Sequence, residues 1–207
     1  MEKIERKQYL DKLIAFKDKQ IMKVITGIRR CGKSTIMEMY QEYLLSQGVS
    51  NEQIIAINLE DYDYYELRDP MKLHAYIKER LVDGLQTYIF IDEIQQCESF
   101  PRVVDSLYIK KNTDIYLTGS NAYMLSSELA TLLSGRYVEI AMLPLSFYEF
   151  VKATKNETNL ARAYSEYLES SSFPYVLDLR GQPKEIRDYL DSIYNTIVVK
   201  DISKRKK

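Results

Sequence analysis

Gly27, Gly32, Lys33 and Ser34 stand in the run GIRRCGKS (27–34) at the spacing of a cradle for a chain of phosphates. Phosphates carry several negative charges, and the successive backbone N–H groups of a tight loop that opens onto a helix N-terminus form a concavity for them. Gly27 and Gly32 permit the backbone angles and the close approach. Lys33 adds a mobile positive charge for β- and γ-phosphates, the Ser34 hydroxyl is short enough to sit on a bridging Mg²⁺, and Thr35 offers a further hydroxyl. Ile28, Arg29, Arg30 and Cys31 complete the loop. One arginine holds the loop or pairs with a neighbouring segment, or both are simply solvated. The Cys31 thiol lies where a helix N-terminus lowers thiol pKa, so alkylation is expected to inactivate the protein and bound nucleotide to protect it.

The run YIFIDEIQ (88–95) supplies the second half of a nucleotide site. An acid at the C-terminal end of a parallel strand faces the crevice in which the phosphate loop lies, so Asp92 is the candidate holder of Mg²⁺ or its water. Glu93 is the candidate base that orients and polarises water. The next strand, DIYLT (114–118), runs into Gly119, Ser120 and Asn121. Ser120 or Asn121 is the candidate sensor of the γ-phosphate, although GSN is also ordinary turn chemistry. Arg136 is the candidate second positive charge on the transferring phosphate, within its own subunit or in a neighbour's site. Its other reading is a surface arginine paired with an acid. The acidic stretch LEDYDYYE (59–66) flanks the site as a mobile loop or is a solvated connection.

These residues need a framework that brings strand ends together. Strand-like runs at 21–26, 54–59, 87–92, 114–118 and 137–142 alternate with helix-like runs at 33–46, 70–84, 99–110 and 122–133, the rhythm of a mostly parallel sheet covered by helices. Ile36, Met37, Tyr40 and Leu44 fall on one side of the first of these helices. Phe100, Val103, Val104 and Leu107 form the core stripe of the third. Residues 5–16 also have helical spacing. Beyond Pro144 three further helices are expected, at 146–153, 157–170 and 183–207, so the chain divides into 1–143 and a helical appendage, 144–207. The last helix stops on SKRKK without a capping glycine, which points to a chain cut from a longer protein.

Composition narrows the classes. The 207 residues are 45% hydrophobic with a net charge of −1, enough for a sizeable core and without the basic excess of a nucleic-acid binder. No stretch approaches the length of a membrane span, and MEKIERKQYL lacks the apolar core of a secretory signal. Cys31, Cys97 and His74 suggest neither zinc nor a disulfide framework, and a reduced cytoplasm is the expected setting. A GTPase would need an NKxD run, which does not occur. A small-molecule kinase would carry an arginine-rich lid, which is not evident.

The runs VITGIRRCGKST, IFIDEIQ, LTGSN and above all LLSGRYVEIAMLPLSFYEF resemble the AAA-type P-loop ATPases of bacteria and archaea. Members carry a C-terminal domain whose function is open, a nuclease-like one included. The resemblance covers roughly residues 4 to 200 and implies an additional-strand P-loop fold, with sheet order 5-1-4-3-2, a small helical appendage after Pro144, and a C-terminal domain that is missing here. Family members often have a glycine pair before Phe-Pro, where this chain has Ser171 and Ser172 before Phe173 and Pro174. The expected function is Mg²⁺-dependent hydrolysis of ATP that drives a conformational change in a larger protein. A nucleotide-dependent binding module with incidental turnover is the alternative. The expected partners are ATP, further copies of the chain, and a protein or nucleic acid reached through the missing part, with no membrane.

Overall fold

Three of the five strands are buried along their whole length, and such strands need cover on both faces. The computed structural model describes residues 3–119, 133 and 135–204. Ser120 and Asn121 therefore lie outside the described residues, as does nearly all of the helix expected over 122–133.

The order is α1 (Lys7–Ala15), β1 (Met22–Thr26), α2 (Lys33–Ser46), β2 (Ile54–Asn58), α3 (Pro70–Glu79), β3 (Thr87–Asp92), α4 (Phe100–Tyr108), β4 (Thr113–Gly119) and β5 (Tyr137–Ala141). The strands form one parallel sheet in the order β2-β3-β4-β1-β5, which is the order the resemblance implied, read from the other edge. The central β1, β3 and β4 are buried throughout, while the edge strands β2 and β5 are buried only in part.

Period-two alternation gives the sheet two different faces. One is aliphatic: Val24, Ile57, Ile89, Ile91, Ile115 and Leu117 pack with Leu73, Ile77, Val104 and Leu107 of α3 and α4. The other is aromatic. Phe90 and Tyr116, in register across β3 and β4, stack at 4.7 Å with Tyr40 of α2 against both. Ile36, Met37, Tyr40 and Leu44 of α2 are buried, as their helical spacing predicts.

α3 is shorter than the expected 70–84. It starts where Asp69 Oδ1 accepts the N–H groups of Met71 and Lys72, both at 2.9 Å. It stops at Glu79 because the Val82 N–H donates to Thr87 Oγ1 (3.1 Å) and Gly84 turns left-handed at φ +73°. The acidic stretch is likewise more ordered than a solvated loop: Tyr62–Arg68 form a 3₁₀ segment, with Leu59 and Leu67 buried.

After Met142 the chain builds a helical appendage, a second compact unit that also takes in Arg29–Gly32. Its helices are α5 (Phe147–Thr154), α6 (Leu160–Ser170) and α7 (Pro183–Lys204). α5 opens with a reciprocal capping box, Ser146 N to Glu149 Oε2 (2.7 Å) and Glu149 N to Ser146 Oγ (3.3 Å). Tyr167 of α6 packs on Phe147 and Phe150 and donates its hydroxyl to Leu145 O (2.8 Å).

Candidate functional site

The loop after β1 has the backbone that its glycines predicted. Gly27 has φ +153° and Gly32 φ +102°, with Arg30 between them at φ +65°. α2 follows directly, so its first N–H groups, which lack partners within the helix, open at the end of the loop. Ser34 and Thr35 are exposed on this first turn. Lys33 is 5% exposed. Its Nζ donates to Gly27 O (3.2 Å) and Ile28 O (3.3 Å) and lies 3.7 Å from Glu93 Oε1.

Asp92 and Glu93 end β3, one strand removed from β1 across β4, and both are nearly buried. Thr118 of β4 ties them together: its hydroxyl donates to Asp92 Oδ1 and accepts from Glu93 N at 3.0 Å. Glu93 sits in the left-handed region at φ +51°, ψ +49°, and Gln95 Nε2 donates to its Oε2. Strained backbone of this kind persists where the surroundings fix it, and it concentrates at functional sites. Thr118 and Gln95 were passed over in the sequence. The signal for Thr118 was present, as a hydroxyl at the end of an apolar strand, one step beyond the pair Ile91 and Leu117. The hydroxyl of Ser34 and the carboxylate of Asp92 are hard oxygen donors of the kind Mg²⁺ takes.

Arg136 is elsewhere. It precedes β5, whose Tyr137 stands opposite Met22 at the start of β1, while the phosphate loop follows the far end of that strand. At about 3.3 Å per residue the offset from Met22 to Thr26 is about 13 Å. The Arg136 guanidinium pairs with Asp105 and lies over the Tyr108 ring. This is the arrangement expected of a surface arginine paired with an acid.

The expectation of a reactive Cys31 also changes, because its side chain is fully buried. Cys97 is buried too, and burial pushes its thiol up to about 11. Neither thiol is presented to a reagent.

A second cluster of charge was not anticipated. Lys23 of β1 and Asp114 of β4 form an ion pair with side chains 0% and 1% exposed. Asp114 Oδ2 also accepts from the Tyr116 hydroxyl (2.8 Å) and Asp18 N (2.9 Å), and Tyr116 meets the Tyr40 hydroxyl at 3.0 Å. Burial lowers the Lys23 pKa and raises those of Asp114, Tyr40 and Tyr116. The cluster lies towards the strand starts, away from the loop.

A parallel sheet in this order, with a glycine–lysine loop after its first strand and a pair of acids at the end of its third, defines a P-loop NTPase of the AAA type. Residues 19–151 match the AAA domain family AAA_14, and the chain belongs to that family. It is 44% identical over 207 residues to an uncharacterised protein of Haemophilus influenzae, covering 98% of this chain and 51% of that protein. It is 30% identical over 196 residues to an uncharacterised protein of Methanocaldococcus jannaschii, covering 86% of this chain and 42% of the other. The chain thus spans about half the length of the curated relatives it matches. Among solved structures it is similar to the Walker-type ATPase PABY2304 of Pyrococcus abyssi, with a TM-score of 0.60 at 14% identity over 98% of this chain and 75% of that one. No helix among the described residues is long and apolar enough to cross a membrane.

Proposed function

We propose that this chain binds Mg·ATP at the 27–35 loop and hydrolyses it to ADP and phosphate, as the ATPase part of a larger protein. The observation that carries this reading is the position of Lys33 Nζ, held over the loop by the Gly27 and Ile28 carbonyls and 3.7 Å from Glu93 Oε1. Phosphate oxygens are stronger acceptors for an ammonium than two carbonyls. Their arrival draws Lys33 away from the carbonyls and frees the Glu93 carboxylate to take a proton from water in line with the γ-phosphate. The N–H groups of residues 28–35 hold the phosphates. Ser34 and Asp92 would hold Mg²⁺, which would supply positive charge against the phosphates. Asp92 Oδ1 is the acceptor of Thr118, which holds the carboxylate that would meet the metal. Thr118 also fixes the Glu93 backbone, so metal ligand and base share one support.

In this reading the charge of Arg136, paired with Asp105 at the start of β5, acts on the site of a neighbouring copy. The helical appendage, residues 144–207, leads into the remainder of the longer protein and passes on the conformational change.

Two substitutions test the reading. Lys33→Ala is expected to abolish the rise in Tm that saturating Mg·ATP gives the unmodified protein. Glu93→Gln is expected to keep that rise while phosphate release falls about a hundredfold or more. A Lys33→Ala protein with an undiminished thermal shift contradicts the cradle; unchanged turnover in Glu93→Gln contradicts the base.

A further inference from the structure

Arg29–Gly32 belong to the phosphate loop by sequence but cluster with the helical unit. Arg30 is the one non-glycine residue of that loop with a positive φ, +65°, a region that costs an L-residue without a compensating contact. The contact comes from α7. The Arg30 guanidinium carbon lies 5.5 Å from the centre of the Tyr189 ring, within cation–π range. Tyr189 is in turn braced by Tyr175, with ring centres 4.9 Å apart. Farther along the same helix, Ile193 and Thr196 line a cavity of about 50 Å³ together with Arg29 and Arg30. The spacing 189, 193, 196 puts these three on one helix face, and Ile193 is only 5% exposed. Burial raises the Tyr189 pKa, and hydrogen bonding to Arg30, followed by the Arg30 charge, works against that rise.

The φ and ψ of Arg30 set the direction of the next N–H groups, those of Cys31 and Gly32, which must point at a phosphate. We propose that Tyr189 is a positioning residue for the phosphate loop: its ring holds Arg30 in the left-handed conformation, so that α7 and the loop order one another. The role rests on the reading of the loop as a phosphate cradle. By linkage, a helix that strengthens phosphate binding is itself held more firmly when phosphate binds, which makes α7 the element that senses the nucleotide.

The test compares Tyr189→Leu, which keeps apolar bulk but removes the π face, with Tyr189→Phe, which keeps the ring. Mg·ATP affinity is measured by calorimetry, and hydrogen exchange of the 28–33 amides is measured without nucleotide, with β3 and β4 amides as the control for an intact fold. Tyr189→Leu should weaken Mg·ATP binding about tenfold and speed loop exchange to a similar degree, with β3 and β4 unchanged. Tyr189→Phe should restore both. Arg30→Ala should match Tyr189→Leu, and the double variant should be no worse than either single one. Wild-type affinity and exchange in Tyr189→Leu, losses in Tyr189→Phe equal to those in Tyr189→Leu, or additive losses in the double variant would overturn the role. If Lys33→Ala binds Mg·ATP as tightly as the unmodified protein, the cradle itself is wrong and the positioning role falls with it. If Lys33→Ala fails to bind while Tyr189→Leu behaves as wild type, only the positioning role is lost.

Discussion

Lys23 and Asp114 show how a charge is tolerated in the middle of this sheet. An ammonium and a carboxylate lose several kcal/mol each on leaving water, and their mutual attraction offsets this only when the remaining polar atoms are also satisfied. Here they are: Lys23 Nζ donates to Lys19 O at 3.1 Å, and Asp114 takes two further donors, Asp18 N and the Tyr116 hydroxyl. Lys23→Met strands a buried carboxylate and is expected to cost about 3–5 kcal/mol in urea unfolding. The double variant Lys23→Met, Asp114→Leu removes both charges and should recover most of that loss, because a well-packed apolar pair often equals a buried ion pair. A double variant no more stable than Lys23→Met alone would show that the pair is a net source of stability. Turnover is expected to be unaffected beyond the loss of folded protein, since the pair lies at the strand starts and the loop at the strand ends.

The turn between α6 and the 3₁₀ segment Pro174–Leu177 holds strain that a glycine would relieve. Ser171 has φ +77° and ψ +168°, a region used almost only by glycine, and the next residue is fixed by Leu145 N donating to Ser172 O at 2.7 Å. The family's glycine pair is thus replaced while the glycine conformation remains. Such strain costs about 1–3 kcal/mol, against about 0.5–1 kcal/mol of extra backbone entropy that glycine loses on folding. Ser171→Gly is therefore expected to stabilise by about 1 kcal/mol, read as a Tm rise of about 2–4 °C for a chain of this size. Ser171→Ala keeps a Cβ and should give no gain, and a Ser171→Gly protein with an unchanged Tm would show that the turn relaxes by other means. The sequence was legible wherever local periodicity decides the outcome, as in the buried side of α2 and the strand–loop–helix order around Gly27. It was silent where a distant partner decides. Thr118 matters because β4 lies beside β3, and Lys23 is tolerable only because β4, beside β1, carries Asp114. Each of those is a consequence of strand order, which in the sequence followed from the resemblance to a family and not from the residues.

The two ends of the parallel sheet carry different charges, and this bears on how copies of the chain would work together. The strand ends bring together Lys33, Asp92 and Glu93, while Arg136 stands at the start of β5 beside Asp105. The Arg136–Asp105 pair is worth little: the two side chains are 43% and 35% exposed, and such pairs contribute about 0–1 kcal/mol. Its loss should hardly alter stability, and its geometry leaves the guanidinium free to change partners at modest cost. An arginine supplied from a neighbouring molecule typically gives about 10³-fold or more in phosphoryl transfer. Under the proposed trans role, Arg136→Ala should lower turnover by about that factor while Mg·ATP still raises Tm as in the unmodified protein. Lys33→Ala should be inactive because it cannot bind nucleotide, yet it retains Arg136. Mixing the two inactive proteins then places an intact cradle from one beside an intact arginine from the other, and phosphate release should partly recover in proportion to the complexes formed. Wild-type turnover in Arg136→Ala would make the residue a surface ion-pair partner and nothing more. Loss of turnover without recovery, in mixtures shown by light scattering to associate, would exclude its action on a neighbour's site.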